Sequence, residues 1–142
     1  PDDLIIKRNC SSDMISVHNK YKSSVMASLK VKKKSVNRWG IYSLSKNLDK
    51  KNFIIKKVVE KPEISKAPSN NAVIGRYILP KTIFTKLQNQ KKGKGGEIHI
   101  TDSIRKLIQE GEKFIGHTFK GKYLDCGTMH GYIKSSMEIS KL

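Results

Sequence analysis

The stretch Phe53-Ile54-Ile55-Lys56-Lys57-Val58-Val59-Glu60-Lys61-Pro62 decides how the chain is read. Its apolar, β-branched residues have strand character, and Pro62, which has no N–H, ends the hydrogen-bond ladder. The run therefore delivers an acid and a base side by side at its tip. Neighbours in a strand point to opposite faces, but where the strand frays at Pro62 both side chains can turn toward one ligand. A carboxylate accepts hydrogen bonds from hydroxyls, and an ammonium is a point charge suited to phosphate. The pair suits a phosphorylated sugar. On these two residues alone, a solvent-exposed ion pair at a strand end is the better reading.

Working outward, 142 residues are enough for one domain or part of one, with a modest core. No stretch reaches the roughly 18 to 20 apolar residues of a membrane span, and no secretory signal pattern is present. Cys10 and Cys126 are far apart and make no metal-type spacing with the histidines, which argues against a structural zinc or a disulfide framework. A reducing cytoplasm is the expected compartment. The formal charge of +17 raises nucleic acid as a partner. However, of 29 basic residues only Arg8, Arg38, Arg76 and Arg105 are arginines, the residue favoured for reading base edges. Aromatics do not interleave with the lysines as a stacking platform requires. The lysines read as a solvated surface that steers anionic substrates, with a basic nucleic-acid-binding module as the minor alternative.

Along the chain, Pro1 to Ile5 looks like the tail of a strand. Residues 11–22 read as a helix capped by Ser11 or Ser12, and 24–31 as a strand. Lys32 to Val36 reads as a polar turn. Arg38-Trp39-Gly40-Ile41-Tyr42 begins another strand, and residues 72–79 form a further apolar strand interrupted by Gly75. Such near-continuous apolar runs imply strands covered on both faces. Pro80 opens a helix over 81–89. The loop Lys91 to Gly96 lacks the Gly-x-x-x-x-Gly-Lys-Ser/Thr pattern, so it is not a P-loop. Thr101 and Asp102 are expected to cap a helix over 102–110. Two short strands, 113–119 and 121–125, are expected to join at Gly121. A last helix, about 129 to 141, offers Tyr132, Ile133, Met137 and Ile139 for packing. His18, His99, His117 and His130 have no partner visible in the sequence. Asp125 reads most simply as an Asx turn before Gly127.

Several of these segments, taken in order, carry a resemblance. Glu60-Lys61-Pro62, Ala67-Pro68-Ser69-Asn70, Ala72-Val73-Ile74-Gly75-Arg76-Tyr77, Gly96-Glu97-Ile98-His99-Ile100-Thr101-Asp102 and Asp125-Cys126-Gly127 together resemble the bacterial UTP–glucose-1-phosphate uridylyltransferases. These belong to the nucleotidyltransferases that make nucleotide sugars. The resemblance covers nearly all of the chain and is densest from Val58 to Tyr132. It implies an α/β fold, three-layered, with a mixed and mostly parallel Rossmann-like sheet. It also implies that residues 1–142 are a carboxy-terminal portion of one nucleotidyltransferase domain, the sugar-phosphate-binding and metal-completing half. The family's amino-terminal Gly-rich nucleotide loop is not among these residues, so the isolated piece is expected to be inactive or very weak.

The implied reaction joins UTP and glucose 1-phosphate into UDP-glucose with release of pyrophosphate, and the implied cofactor is Mg²⁺. The resemblance assigns metal-binding and catalytic roles to Asp2 and Asp125, with Asp3 as an alternative to Asp2. It gives Lys61 the sugar phosphate and Glu60 the sugar hydroxyls. It sets Gly40, Val73 and Gly75 against the ring. The family works as dimers or tetramers, which makes a homo-oligomer the expectation for the full-length protein. Within the class, dTTP in place of UTP is the alternative.

Overall fold

Five strands pair into a closed ring in the order β2–β5–β3–β4–β6, with β6 returning to β2. They are β2 (Ser24–Lys30), β3 (Gly40–Asn47), β4 (Asn52–Glu60), β5 (Asn71–Ile78) and β6 (Phe114–Thr118). A separate two-stranded sheet pairs β1 (Asp3–Ile6) with β7 (Lys122–Asp125). The helices are α1 (Cys10–Tyr21), α2 (Ile83–Gln88), α3 (Ile100–Gln109) and α4 (Met129–Ile139), with 3-10 turns at Lys33–Arg38 and Ile64–Lys66. This computed structural model describes residues 3–93 and 96–142.

Helix α1 starts one residue earlier than the serines suggested. Asn9 is its cap, accepting the Ser12 N–H at 3.0 Å. Cys10, Met14 and Val17 recur on its buried face and pack on Val25 and Ala27 of β2, Ile74 of β5 and Ile115 of β6. Met26, between Val25 and Ala27, points the other way. It joins Tyr42, Phe53, Ile55, Val58, Val73 and Phe114 beneath Ile104 and Leu107 of α3. The Tyr42 hydroxyl, inside this core, donates to the Ala27 carbonyl at 2.9 Å.

The fold is α/β with a mixed sheet, but the expected predominance of parallel pairing does not hold among the described residues. Only β2 and β6 run parallel; the other pairs are antiparallel. A parallel return needs a long crossover, whereas antiparallel strands can follow one another directly. Here β3 reverses into β4 through residues 48–51, and β4 reaches β5 through residues 61–70 with no α-helix between them. The near-continuous apolar runs are covered on both faces, as expected, through ring closure and helices on both sides.

Two further expectations are corrected. Helix α3 begins at Ile100 with His99 in the cap position and no side-chain cap bond, so Thr101 and Asp102 lie inside the helix. Asp102 pairs instead with Arg105 at 2.9 Å. The two short strands expected on either side of Gly121 are present as β6 and β7, β6 belonging to the ring and β7 to the small sheet. The apolar residues of α4 stay on the surface, with Met129 76% and Met137 59% exposed. Among the described residues no helix is long and apolar enough to cross a membrane.

Candidate active site

Glu60 ends β4 directly opposite Gly40, the first residue of β3. A β-carbon on Gly40 would lie 3.1 Å from Glu60 Oε2 and 3.2 Å from Val73 Cγ2. Three of the expected sugar-site residues therefore touch, and a side chain at position 40 would displace the carboxylate. Glu60 Oε2 also accepts a hydrogen bond from Thr101 Oγ1 at 3.0 Å.

The next residue, Lys61, has φ +41° and donates its N–H to the Trp39 carbonyl at 3.0 Å. This left-handed step is costly for a residue with a β-carbon and breaks the alternation of the strand. Pro62 behind it is buried, while the Lys61 side chain is exposed and lines a wide cleft with Lys33, Asn37 and Glu63.

Asp3 and Asp125 are direct cross-strand partners in the β1–β7 ladder. Together with Arg38, Trp39 and Tyr123 they line a cavity of about 270 Å³. Two carboxylates in such register repel each other, and each is answered by an arginine. Arg76 Nη1 donates to Asp3 Oδ1 at 3.1 Å, Tyr123 donates its hydroxyl to Asp3 Oδ2 at 3.0 Å, and Arg38 Nη2 reaches Asp125 Oδ2 at 3.4 Å. Asp125 Oδ1 also accepts the Gly127 N–H at 3.1 Å, the Asx turn read from the sequence.

Trp39 joins the two groups of residues. Its carbonyl holds Lys61, and its ring meets Tyr123 edge-on with centroids 5.6 Å apart. Tyr77 reports the same proximity. Burial, then the charges of Glu60 and Asp3, push its phenol up to about 12, so it stays a protonated donor near both carboxylates.

Asp2 lies outside the described residues. Gly75 lies on β5 two residues beyond Val73. It sits where β5 bulges against β2, is exposed, and lines a cavity with Ser11, Met14 and Ile15 of α1. A β-carbon there would meet nothing within 4 Å, so no protein neighbour demands glycine at this point.

For a divalent cation the donor set fits in part. Among the described residues no group of three potential ligands assembles. Asp125 is a suitable single carboxylate, partly exposed and held, among the described residues, by one long arginine contact and a backbone N–H. Asp3 is committed to Arg76 and Tyr123. One or two carboxylates plus substrate phosphate oxygens is the usual Mg²⁺ arrangement, so two protein carboxylates would suffice.

Sequence reading missed Thr101, Tyr77, and the arginines Arg38 and Arg76. Arg38 was at hand as the residue before the Trp-Gly pair. Thr101 was masked by its resemblance to a helix cap. Of the histidines, His117 was misjudged: it is buried, with Nδ1 2.7 Å from Asn52 Oδ1.

A family model described as nucleotidyl transferase matches residues 1–141. A UTP–glucose-1-phosphate uridylyltransferase of Pseudomonas aeruginosa is 37% identical over 95% of this chain and 49% of its own length. A crystal structure of UDP-glucose pyrophosphorylase complexed with UDP-glucose superimposes with TM-score 0.90 at 40% identity, covering 99% of this chain and 54% of the other. A UTP-bound UDP-glucose pyrophosphorylase of Acinetobacter baumannii gives TM-score 0.81 at 30% identity, covering 98% and 48%. The chain thus spans about half the length of the curated relatives it matches. Match of the family model across nearly the whole sequence, and likeness of fold at this identity, agree: the chain belongs to the nucleotidyl transferase family.

Proposed function

We propose that residues 1–142 are the sugar-phosphate-binding and metal-completing half of a UTP–glucose-1-phosphate uridylyltransferase domain. The observation that carries this reading is the meeting of Glu60, Gly40 and Val73, tied through Trp39 to the cavity that holds Asp3 and Asp125. That combination offers a hydroxyl acceptor, a glycine whose backbone no side chain of its own covers, an exposed ammonium and a carboxylate pair. The likeness to a pyrophosphorylase bound to UDP-glucose supports it.

In this reading a phosphate oxygen of glucose 1-phosphate attacks the α-phosphorus of UTP. The new P–O bond forms as the bond to the bridging oxygen breaks, and pyrophosphate leaves with that electron pair. The protein's part is to hold two anions together and to spread charge. Lys61 holds the sugar phosphate, and Glu60 accepts from sugar hydroxyls. Val73 and the backbone at Gly40 and Gly75 flank the ring. Asp125, with Asp2 or Asp3 as the second carboxylate, would hold Mg²⁺, which supplies charge neutralisation on the phosphates when bound. In the whole protein the strands described here would extend into a three-layered sheet. It would act as a homo-oligomer in the cytoplasm.

The test is turnover by the whole protein with purified substrates. Pyrophosphate release from UTP and glucose 1-phosphate, dependent on Mg²⁺, is the expected result. Preference for dTTP would move the nucleotide assignment, and tighter binding of random DNA than of glucose 1-phosphate would overturn the enzyme reading.

A further inference from the structure

We propose that Thr101 is a positioning residue for Glu60, and that it sets the enzyme's selectivity for the sugar hydroxyls. This rests on the functional reading above and deepens it. The Thr101 hydroxyl is buried, and it is spent on a carboxylate 41 positions away rather than on its own helix end.

The bond holds one carboxylate oxygen and leaves the other for ligand. Glu60 Oε2 accepts from Thr101 Oγ1 at 3.0 Å and packs beside Gly40, where a β-carbon would come within 3.1 Å of it. Glu60 Oε1 has no hydrogen-bond donor among the described residues. A glutamate side chain has three rotatable torsions. Anchoring one oxygen fixes the direction of the other before substrate arrives, which lowers the ordering cost of binding.

The anchor itself stands on a rigid base. Ile104 and Leu107, on the next turns of α3, are fully buried against Ile55 and Val58 of β4, the strand that carries Glu60. The entry to α3 is braced by Gln90, which accepts from the Ser103 hydroxyl and donates to the His99 carbonyl at 3.0 Å. Helix and strand therefore move as one unit, and the Thr101–Glu60 distance is held by packing remote from the ligand.

The experiment compares Thr101→Val, which keeps shape and removes the donor, with Thr101→Ser, which keeps the donor, both in the whole protein. With Thr101→Val, the KM for glucose 1-phosphate should rise about tenfold, the worth of one hydrogen bond to a charged group, while the KM for UTP stays unchanged. Thr101→Ser should restore it to within about threefold on the same scale. Preference for glucose 1-phosphate over its deoxy analogues should shrink in Thr101→Val. In a Glu60→Gln background the Thr101→Val change should add little.

An unchanged sugar-phosphate KM in Thr101→Val, or an equal rise for UTP, overturns the proposal. So does equal loss in Thr101→Ser. A wild-type protein that makes no UDP-glucose would overturn the functional reading itself, and this inference with it. If Thr101→Val fails to fold, Thr101→Ser and Thr101→Ala are read in its place, with the same outcomes required of Ala as of Val.

Discussion

Gly40 and Glu60 are cross-strand partners, and the absence of a side chain on one is what leaves room for the carboxylate of the other. A methyl at position 40 would press on both Glu60 Oε2 and Val73 Cγ2 at little more than 3 Å. Gly40→Ala should therefore act on the site more than on the fold. We expect sugar-phosphate affinity to drop by about tenfold or more, with a stability loss of only about 1 kcal/mol, the low end of overpacking costs. Isothermal titration with glucose 1-phosphate, alongside urea melts, separates the two. A variant that binds as tightly as wild type would remove Gly40 from the site.

Lys61 reaches its place through a left-handed backbone step anchored on the Trp39 carbonyl. Replacing its side chain leaves that anchor intact. Lys61→Ala should raise the KM for glucose 1-phosphate by about 10- to 100-fold, as expected for a charged contact to phosphate, with a much smaller effect on UTP. Equal losses for both substrates would count against the assignment.

Asp125→Asn keeps the acceptor for the Gly127 N–H and loses only a long, exposed contact to Arg38, worth about 1 kcal/mol at most. The fold should survive. Turnover should fall by about 100-fold or more if the carboxylate holds the metal, since that removes charge stabilisation from the transition state. Near-normal turnover with an unchanged Mg²⁺ dependence would refute the metal assignment.

His117 is only 4% exposed, and its Nε2 has no hydrogen-bond partner among the described residues. Burial pushes its pKa below the ordinary 6.5, with Lys51 acting in the same direction and Asp13 and Asp49 opposing. The unfolded chain then binds a proton that the folded chain resists. Stability is full above about pH 6.5 and falls as the pH drops below it, by up to about 1.4 kcal/mol per pH unit until the folded state also protonates. Urea midpoints between pH 7.5 and 5 should show this slope, and His117→Gln should flatten it. Asp49 acts in a lower window. Its bonds from the Asn52 side chain and from backbone N–H groups hold it at about 2, so its contribution is lost only as the pH falls from about 4 toward 2.

Much of the element order was legible in local patterns. The near-helical spacing of Met14, Ile15, Val17, His18 and Tyr21, the apolar run ending at Pro62, and the turn residues around Gly121 mark elements whose limits lie within one or two positions of those expected. What failed were statements about partners. Mostly parallel pairing was implied by the family resemblance, whereas the apolar runs said only that both faces are covered, which is equally the property of a closed ring. Thr101 looked like a cap because the helix-start pattern is local, whereas its bond to Glu60 spans two elements.

By itself the sequence determined the acid–base pair at the end of β4, the strands and helices that flank it, and the family. Local spacing and the order of short motifs carry that information, because propensity and periodicity act between near neighbours. Only the tertiary structure decided that Asp3 faces Asp125, that each is matched by an arginine from another element, that Gly40 faces Glu60, and that Thr101 holds the carboxylate. Those relationships come from strand register and helix docking, where residues distant in the chain meet through the burial of shared apolar surface.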